Sequence, residues 1–253
     1  MEIRGIHKFF FFILILILPL AWSETAWARL EPSLLDQARK ARGTDFDRDA
    51  EAFVQAVTFS LLQSQNHAKI PGRFEPFLEA GFSLLSVSDR RLFQYTDSQH
   101  SPASFQSVYG KAGIGLPFGL MVEAGISQVV SEHTLTGLYF SFGGQVMDLV
   151  SVVYTDIVPC MSLNMNLMRS VAVPTMNSLG GDLALGIYHR QTLTQVAYAL
   201  QAEYSMLGAV SGVDKFFLRH GAVLSAPVYK GLSFKTEIFL PVLSASLGLT
   251  YQF

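Results

Sequence analysis

The sequence predicts an all-β chain: a transmembrane antiparallel up-and-down β-barrel of about ten strands, with eight or twelve also compatible, preceded by a short N-terminal amphipathic helix. Two observations carry this. From about residue 71 onward, apolar residues alternate with Gly, Ser, Asn, Gln and charged residues, and strand side chains of period two fall on opposite faces. In addition, half of the 253 residues are apolar and only 15% are charged, which is rich for a chain dissolved in water. It is expected where one strand face meets lipid and the other a polar interior.

Residues 1–28 look like a secretory signal peptide. Arg4, His7 and Lys8 give a basic start, diluted by Glu2; residues 9–22 form an apolar run broken by Pro19; and Ala26-Trp27-Ala28 fits a small-x-small cleavage pattern. The run falls short of the ~20 residues a spanning helix needs, and no later continuous apolar run is as long. No cysteine follows it to accept a lipid. The expected exported chain begins near Arg29 and has about 225 residues, a fitting size for one all-β domain. Cys160 is the single cysteine, which excludes a disulfide within the chain and reads as a small apolar filler. A net charge of −2 gives no ground for a nucleic-acid partner, and no residue pattern asks for a cofactor or a metal.

Residues 29–70 differ from the rest and form a separate N-terminal segment, expected to lie in the periplasm or to plug the barrel that residues 71–253 build. They carry Asp36, Arg39, Lys40, Arg42, Asp45, Asp47, Arg48, Asp49 and Glu51 without glycine-punctuated alternation. Phe46, Ala50, Phe53, Val54, Val57 and Leu61 recur at steps of three and four, predicting an amphipathic helix over 45–63. Thr44, Asp47 and the acids of the first turn favour a start there. The Asp45-x-Asp47-x-Asp49 spacing suggests calcium, but the turn glycine and closing Glu of such a loop are missing, so these acids read as helix-start residues. Of three roles for the helix, a clamp on the barrel rim is the expectation, with a lumen plug and an interfacial helix as alternatives.

The strands then follow in order. Residues 74–86 set Leu78, Ala80, Phe82 and Leu84 against Phe77, Glu79, Gly81 and Ser83, with Pro76 at the strand start. A polar loop over 89–104 leads to Val108–Leu116, and Pro117-Phe118 turns into the strand carrying Val122, Ala124 and Ile126. Lys111 and Glu123 thereby share the inner face of one hairpin at similar distances from its turn. Leu138, Phe140 and Phe142 mark the fourth strand; residues 148–159 are apolar without clean alternation. Met161–Met168, Leu183–Tyr188, Val196–Tyr204, Phe216–Ser225 and Leu232–Ile238 continue the pattern, with loops over 169–180 and 208–214 and turns at 189–191 and 227–231. Strands of about 9 to 13 residues suit a tilted crossing, and an even count returns both chain ends to one side. Glycines within strands (Gly81, Gly113, Gly125, Gly143, Gly186, Gly221, Gly248) suggest close approaches in a tightly curved sheet.

The last strand, 243–253, sets Leu243, Ala245, Leu247, Leu249, Tyr251 and Phe253 on one face and Ser244, Ser246, Gly248, Thr250 and Gln252 on the other. With a terminal Phe, an aromatic two residues earlier and alternate apolar residues before that, it resembles the C-terminal assembly signal of Gram-negative outer-membrane β-barrel proteins. Leu247, Leu249, Tyr251 and Phe253 carry the resemblance. It implies location in the cell outer membrane, with outer-membrane lipid and the barrel-assembly machinery as partners. It says nothing of which solute, if any, is handled.

Chemistry is to be sought on the inner face, where Glu79, Lys111, Glu123, Gln145, Asn164, Asn166, Asp182, Gln201, Glu203, Arg219, Lys235 and Glu237 are expected to line the lumen. Phe82, Phe140, Leu163, Leu185, Tyr198 and Phe234 are expected to face lipid. Mixed charges favour internal pairing in a filled or narrow lumen over selection of one ion sign. The function expected is therefore structural, or passive transport of a small solute. A lipid-modifying enzyme, an acyl hydrolase or transferase, is the alternative. Ser131-Glu132-His133 would sit in an outer turn, yet neighbouring turn residues point apart; His220 and Ser225 fall on opposite faces of one strand.

Overall fold

The structure, a computed structural model, describes residues 32–62, 73–87, 104–130, 136–147, 156–170, 176–207 and 214–253. The expected signal peptide, the loop over 89–103, the Ser131-Glu132-His133 turn and residues 148–155 lie outside these. Ten strands form one closed antiparallel sheet in which each strand pairs with its sequence neighbours and β1 pairs with β10. They are β1 (Pro76–Ser86), β2 (Ser104–Gly115), β3 (Leu120–Val129), β4 (Thr136–Met147), β5 (Ile157–Ser170), β6 (Met176–His189), β7 (Thr194–Leu207), β8 (Asp214–Tyr229), β9 (Leu232–Leu240) and β10 (Ser244–Gln252). Closure gives every strand a partner on each side and so removes the full-length open edges that a flat sheet would present; residues 214–219 of β8 extend past the end of β9.

Several strands run longer than the 9 to 13 residues expected. β5, β6 and β7 have 14 and β8 has 16. Alternation marks a strand's faces but not its ends: Arg169 and Ser170 still belong to β5, and Met176 already opens β6, within what reads as a loop. Likewise Ile157–Pro159 open β5 rather than ending an irregular span.

The barrel has two distinct mouths. Pro76, the 117–119, 190–193 and 230–231 turns, the ends of β4 and β5 at Met147 and Ile157, and Gln252 lie at one, here the near mouth; the β1–β2, β3–β4, β5–β6, β7–β8 and β9–β10 connections join strand ends at the other, the far mouth. The helical segment departs from the sequence expectation in two ways. It begins earlier, as α1 (Pro32–Arg42), a single tight turn (Gly43–Asp45) and α2 (Phe46–Leu61). Thr44 therefore lies in the turn rather than at a cap, and Asp45 precedes α2 in a helical conformation without a side-chain cap bond. Gly43, at φ +54, supplies the left-handed residue that the break needs. The second departure is position. α2 is not a rim clamp: Phe53, Val54, Ala56, Val57, Thr58, Phe59, Ser60 and Leu61 are all buried, around the whole circumference of the helix.

A helix buried all round must be enclosed, and the barrel encloses this one. α2 touches β1, β2, β3, β7 and β8. Its apolar partners are Leu85, Phe105, Val129, Met168, Met176 and Phe217, inward-facing residues within a few positions of the far ends of their strands. They form an apolar collar at one end of the lumen; a second apolar cluster, Ala184, Ala197, Ala199, Val223 and Phe239, lies elsewhere on the inner face. Gly137 makes room, since a Cβ there would meet Leu61 Cβ at 2.9 Å. Asp49, the third acid of the Asp45-x-Asp47-x-Asp49 spacing, is buried against Arg42 at 2.6 Å and serves to join α1 to α2.

Candidate functional site

The lumen below the collar is built by the inward residue of each strand pair. Glu79, Lys111, Glu123, Gln145, Asn164, Asn166, Asp182, Gln201, Glu203, Arg219, Lys235 and Glu237 are all buried at such positions. They separate into two walls.

On β1, β2, β3 and β9 an ionic ladder runs Glu123–Lys111–Glu79–Lys235–Glu237, with contacts of 3.4, 3.3, 3.0 and 3.2 Å. Lys111 and Glu123 meet, but not as directly opposed residues: Lys111 pairs in register with Gly125 on β3 and with Glu79 on β1. Glu79 is the centre of the ladder, receiving both lysines. Tyr109 Oη donates to its Oε1 at 3.2 Å and Thr250 Oγ1 to its Oε2 at 3.1 Å. The outer acids are held in the same way: Tyr139 Oη donates to Glu123 at 3.4 Å and Ser246 Oγ to Glu237 at 2.9 Å. The ladder crosses the seam where β1 closes on β10. Lys235 reaches Glu79 over Gly248, where a Cβ would lie 2.3 Å from Tyr109 Oη. Each buried charge has opposite charge and hydrogen bonds around it, the condition under which such groups are tolerated.

The second wall spans β5 to β8. Asn164, Asp182, Gln201 and Arg219 occupy one continuous row of cross-strand partners. Asn164 Nδ2 donates to Asp182 at 3.1 Å, and Arg219 Nε donates to Gln201 Oε1. Asn164 needs Gly143 beside it, where a Cβ would collide with its amide oxygen. Gln145 and Asn166 face the lumen from β4 and β5. Cys160, also inward and buried, accepts from Gln195 at 3.4 Å.

Both walls hold α2. Arg219 donates to the carbonyl of Leu62 at 3.4 Å and to Ser244 Oγ at 3.2 Å. Its guanidinium lies 4.5 Å from the ring centres of both Phe59 and Phe239. A cation at the C-terminal end of α2 meets the negative end of the helix dipole, and the flat guanidinium stacks between two aromatic faces. Ser107 Oγ donates to Ser60 O at 2.8 Å. On the other side a hydroxyl chain runs from the helix to a carboxylate. Ser178 donates to Glu203 at 2.7 Å and Ser205 donates to Ser178 at 3.1 Å, so the 2.9 Å bond between Thr58 and Ser205 has Thr58 as donor. Each hydroxyl has one hydrogen to give, which fixes the direction. A cavity of about 10 Å³, space for about one water, lies between Phe59, Arg219 and Glu237.

Tyr109, Tyr139, Ser178, Ser205 and Thr58 were not among the expected lumen residues, although the strand parity that marks Lys111 marks Tyr109 as well. Outside, Phe82, Phe140, Leu163, Leu185 and Tyr198 are about half exposed and Phe234 less so, part of an apolar belt around the barrel. Leu247, Leu249, Tyr251 and Phe253 face outward in it, with the Tyr251 and Phe253 rings 5.0 Å apart. A polar, ion-paired interior inside an apolar exterior is the reverse of a water-soluble barrel. Among the described histidines, His189 accepts from Thr192 within its own turn and His220 lies on the outer face beside Tyr198.

The chain matches no family model and no curated protein. Among solved structures it is similar to Ail, the attachment invasion locus protein of Yersinia pestis, in complex with the heparin analogue sucrose octasulfate. That match is 11% identical over 72% of this chain and 99% of that one, with a TM-score of 0.26. It is also similar to the outer membrane protein OprG from Pseudomonas aeruginosa, 11% identical over 74% and 99% with a TM-score of 0.30. A triple mutant of Rhodopseudomonas blastica porin matches at 7% identity over 71% and 99%, with a TM-score of 0.19. Likenesses at these scores carry no functional inference for this chain.

Proposed function

We propose that this chain is an integral outer-membrane β-barrel protein with a filled, plugged lumen, acting as a structural barrel or a narrow passive path for a small solute. The observation that supports it is the double filling of the lumen: the Glu79-centred ladder across one wall, and α2 seated in the far mouth. The near mouth, where β1 begins and β10 ends, faces the periplasm, and the far mouth faces outward. Membrane lipid is the partner of the apolar belt. The outward face of β10, through Leu247, Leu249, Tyr251 and Phe253, is what the barrel-assembly machinery reads.

Planar-bilayer recording of the purified full chain tests this. The expected result is no conductance, or small and weakly selective events. Large, stable conductance would overturn the filled-lumen reading in favour of a porin. A heat-dependent shift in gel mobility tests the membrane barrel separately, and its absence would remove the premise. Changing Phe253 to Asp is expected to lower the amount of that heat-modifiable form in the outer membrane.

A further inference from the structure

We propose that the inner face of β4, β5 and β7 is a site for a hard cation, best met by calcium, with Ser141, Asn164, Asn166 and Glu203 as its donors. These residues stand in two neighbouring cross-strand rows of the lumen. One row runs Glu123, Ser141, Asn166, Gly180 and Glu203 from β3 to β7; the other sets Gly143, Asn164 and Asp182 beside it. None of the four donors is more than 3% exposed. Yet Ser141 Oγ, Asn164 Oδ1 and Asn166 Oδ1 have no hydrogen-bond partner among the described residues. The Asn164 amide is turned so that its nitrogen donates to Asp182 while Oδ1 lies over Gly143, two residues from Ser141. The Glu203 carboxylate lies over Gly180, on the side of Asn166, where a Cβ would meet Oε2 at 2.5 Å. Oε2 takes the Ser178 hydroxyl, and Oε1 is left to the patch.

A buried acceptor without a donor is costly, and several in one patch call for an occupant. Water can serve acceptors, but it does not answer charge. Five buried strand carboxylates share the lumen with only Lys111, Arg219 and Lys235, so the described interior carries an excess of negative charge. Those three cations are committed elsewhere. Both lysines sit in the ladder, and Arg219 is held by Gln201, Leu62 and Ser244 between two rings. Among the described residues, no group of three or more His, Cys, Asp or Glu is placed to hold a metal. The donors here are mainly neutral oxygens around one carboxylate, a set that suits hard ions and not zinc or copper. Calcium accepts an irregular set of amide, hydroxyl and carboxylate oxygens, whereas magnesium demands an octahedron and keeps waters for which a filled lumen has little room. The donors come from three strands, so no spacing in the sequence announces them. The site needs the closed barrel, not the membrane around it.

The test uses the full chain refolded in detergent without outer-membrane lipid, whose phosphates would bind calcium themselves, and stripped with EDTA. Equilibrium dialysis against radioactive calcium should give one ion per chain, and an equal concentration of magnesium should not displace it. Glu203→Gln should weaken binding at least about tenfold. Asn166→Leu, which removes one oxygen and no charge, should weaken it as well. Heat-modifiable mobility shows for each variant that the barrel has closed. The unaltered chain supplies a reading that needs no variant: terbium in place of calcium should show a luminescence lifetime that reports few bound waters. Absence of stoichiometric binding would overturn the proposal and leave water as the occupant. A lifetime typical of a hydrated surface ion, or unchanged affinity in both closed variants, would overturn it too.

Discussion

Glu79 is the residue on which the polar interior turns. It lies between two lysines and accepts two hydroxyl hydrogen bonds, all within a wall that excludes solvent. Removing its charge leaves Lys111 and Lys235 each with a single outer acid. Glu79→Gln is therefore expected to cost about 3–5 kcal/mol, the range for breaking a buried pair from one side, in urea unfolding of barrels refolded into lipid vesicles. Adding Lys235→Met to that variant should deepen the loss, because it takes from buried Glu237 the cation it holds at 3.2 Å; a double variant as stable as the single would show that the ladder is not the source. Gly248→Ala probes the same seam sterically. Its methyl would displace Tyr109 Oη and should cost about 1–3 kcal/mol. Parity along each strand shows that Glu79, Lys111, Glu123, Lys235 and Glu237 share a face. It does not show that Glu79 is the centre, because the Glu79–Lys235 contact passes over β10 and exists only once the sheet has closed.

At the scale of elements, α2 and the collar are made for each other. Leu85, Phe105, Val129, Met168, Met176 and Phe217 would be misplaced inside a wet lumen, and the all-round burial of Phe53 to Leu61 would be unavailable to a helix on a rim. Phe59→Ala, which removes the ring stacked on Arg219 and edge-on to Phe217, should weaken docking by about 3–5 kcal/mol. Thr58→Ala, which breaks only the hydroxyl chain to Glu203, should cost about 1 kcal/mol. Amide exchange of α2 reports both, and equal effects would mean that the aromatic contacts do not seat the plug. The helical period of 45–63 was readable because Phe46, Phe53, Val57 and Leu61 repeat on one stripe. Its surroundings were not readable, since a stripe that faces a rim and one that faces a collar look alike; Ala56, Thr58 and Ser60 completed the buried circumference only because small residues fit a confined space. α1 was missed because its charges mask any apolar stripe.

One rule sorts most of the molecule, inward polar and outward apolar over ten strands, broken by the collar around α2 and by the inward cluster of Ala184, Ala197, Ala199, Val223 and Phe239. Alternation with period two is a local property, so faces and strand order could be read from the chain. Strand ends, closure register and the step between β8 and β9 depend on how ten strands of unequal length share one cylinder, and no single segment records that. The sorting rule has a consequence that distinguishes the two faces at adjacent positions of β5. Leu163 is among the most exposed of the large apolar residues, and Asn164 beside it is buried against Asp182. Leu163→Arg should cost about 2–4 kcal/mol in lipid if the belt lies in hydrocarbon, and far less in detergent that lets the side chain reach water. In a Cys160→Ala background, Leu163→Cys should react with a lipid-soluble maleimide and resist a water-soluble one, while Asn164→Cys should resist the lipid-soluble reagent. Reversed labelling of the two would mean that β5 is turned inside out. By the period-two rule, a one-residue slip would exchange every other face on that strand as well.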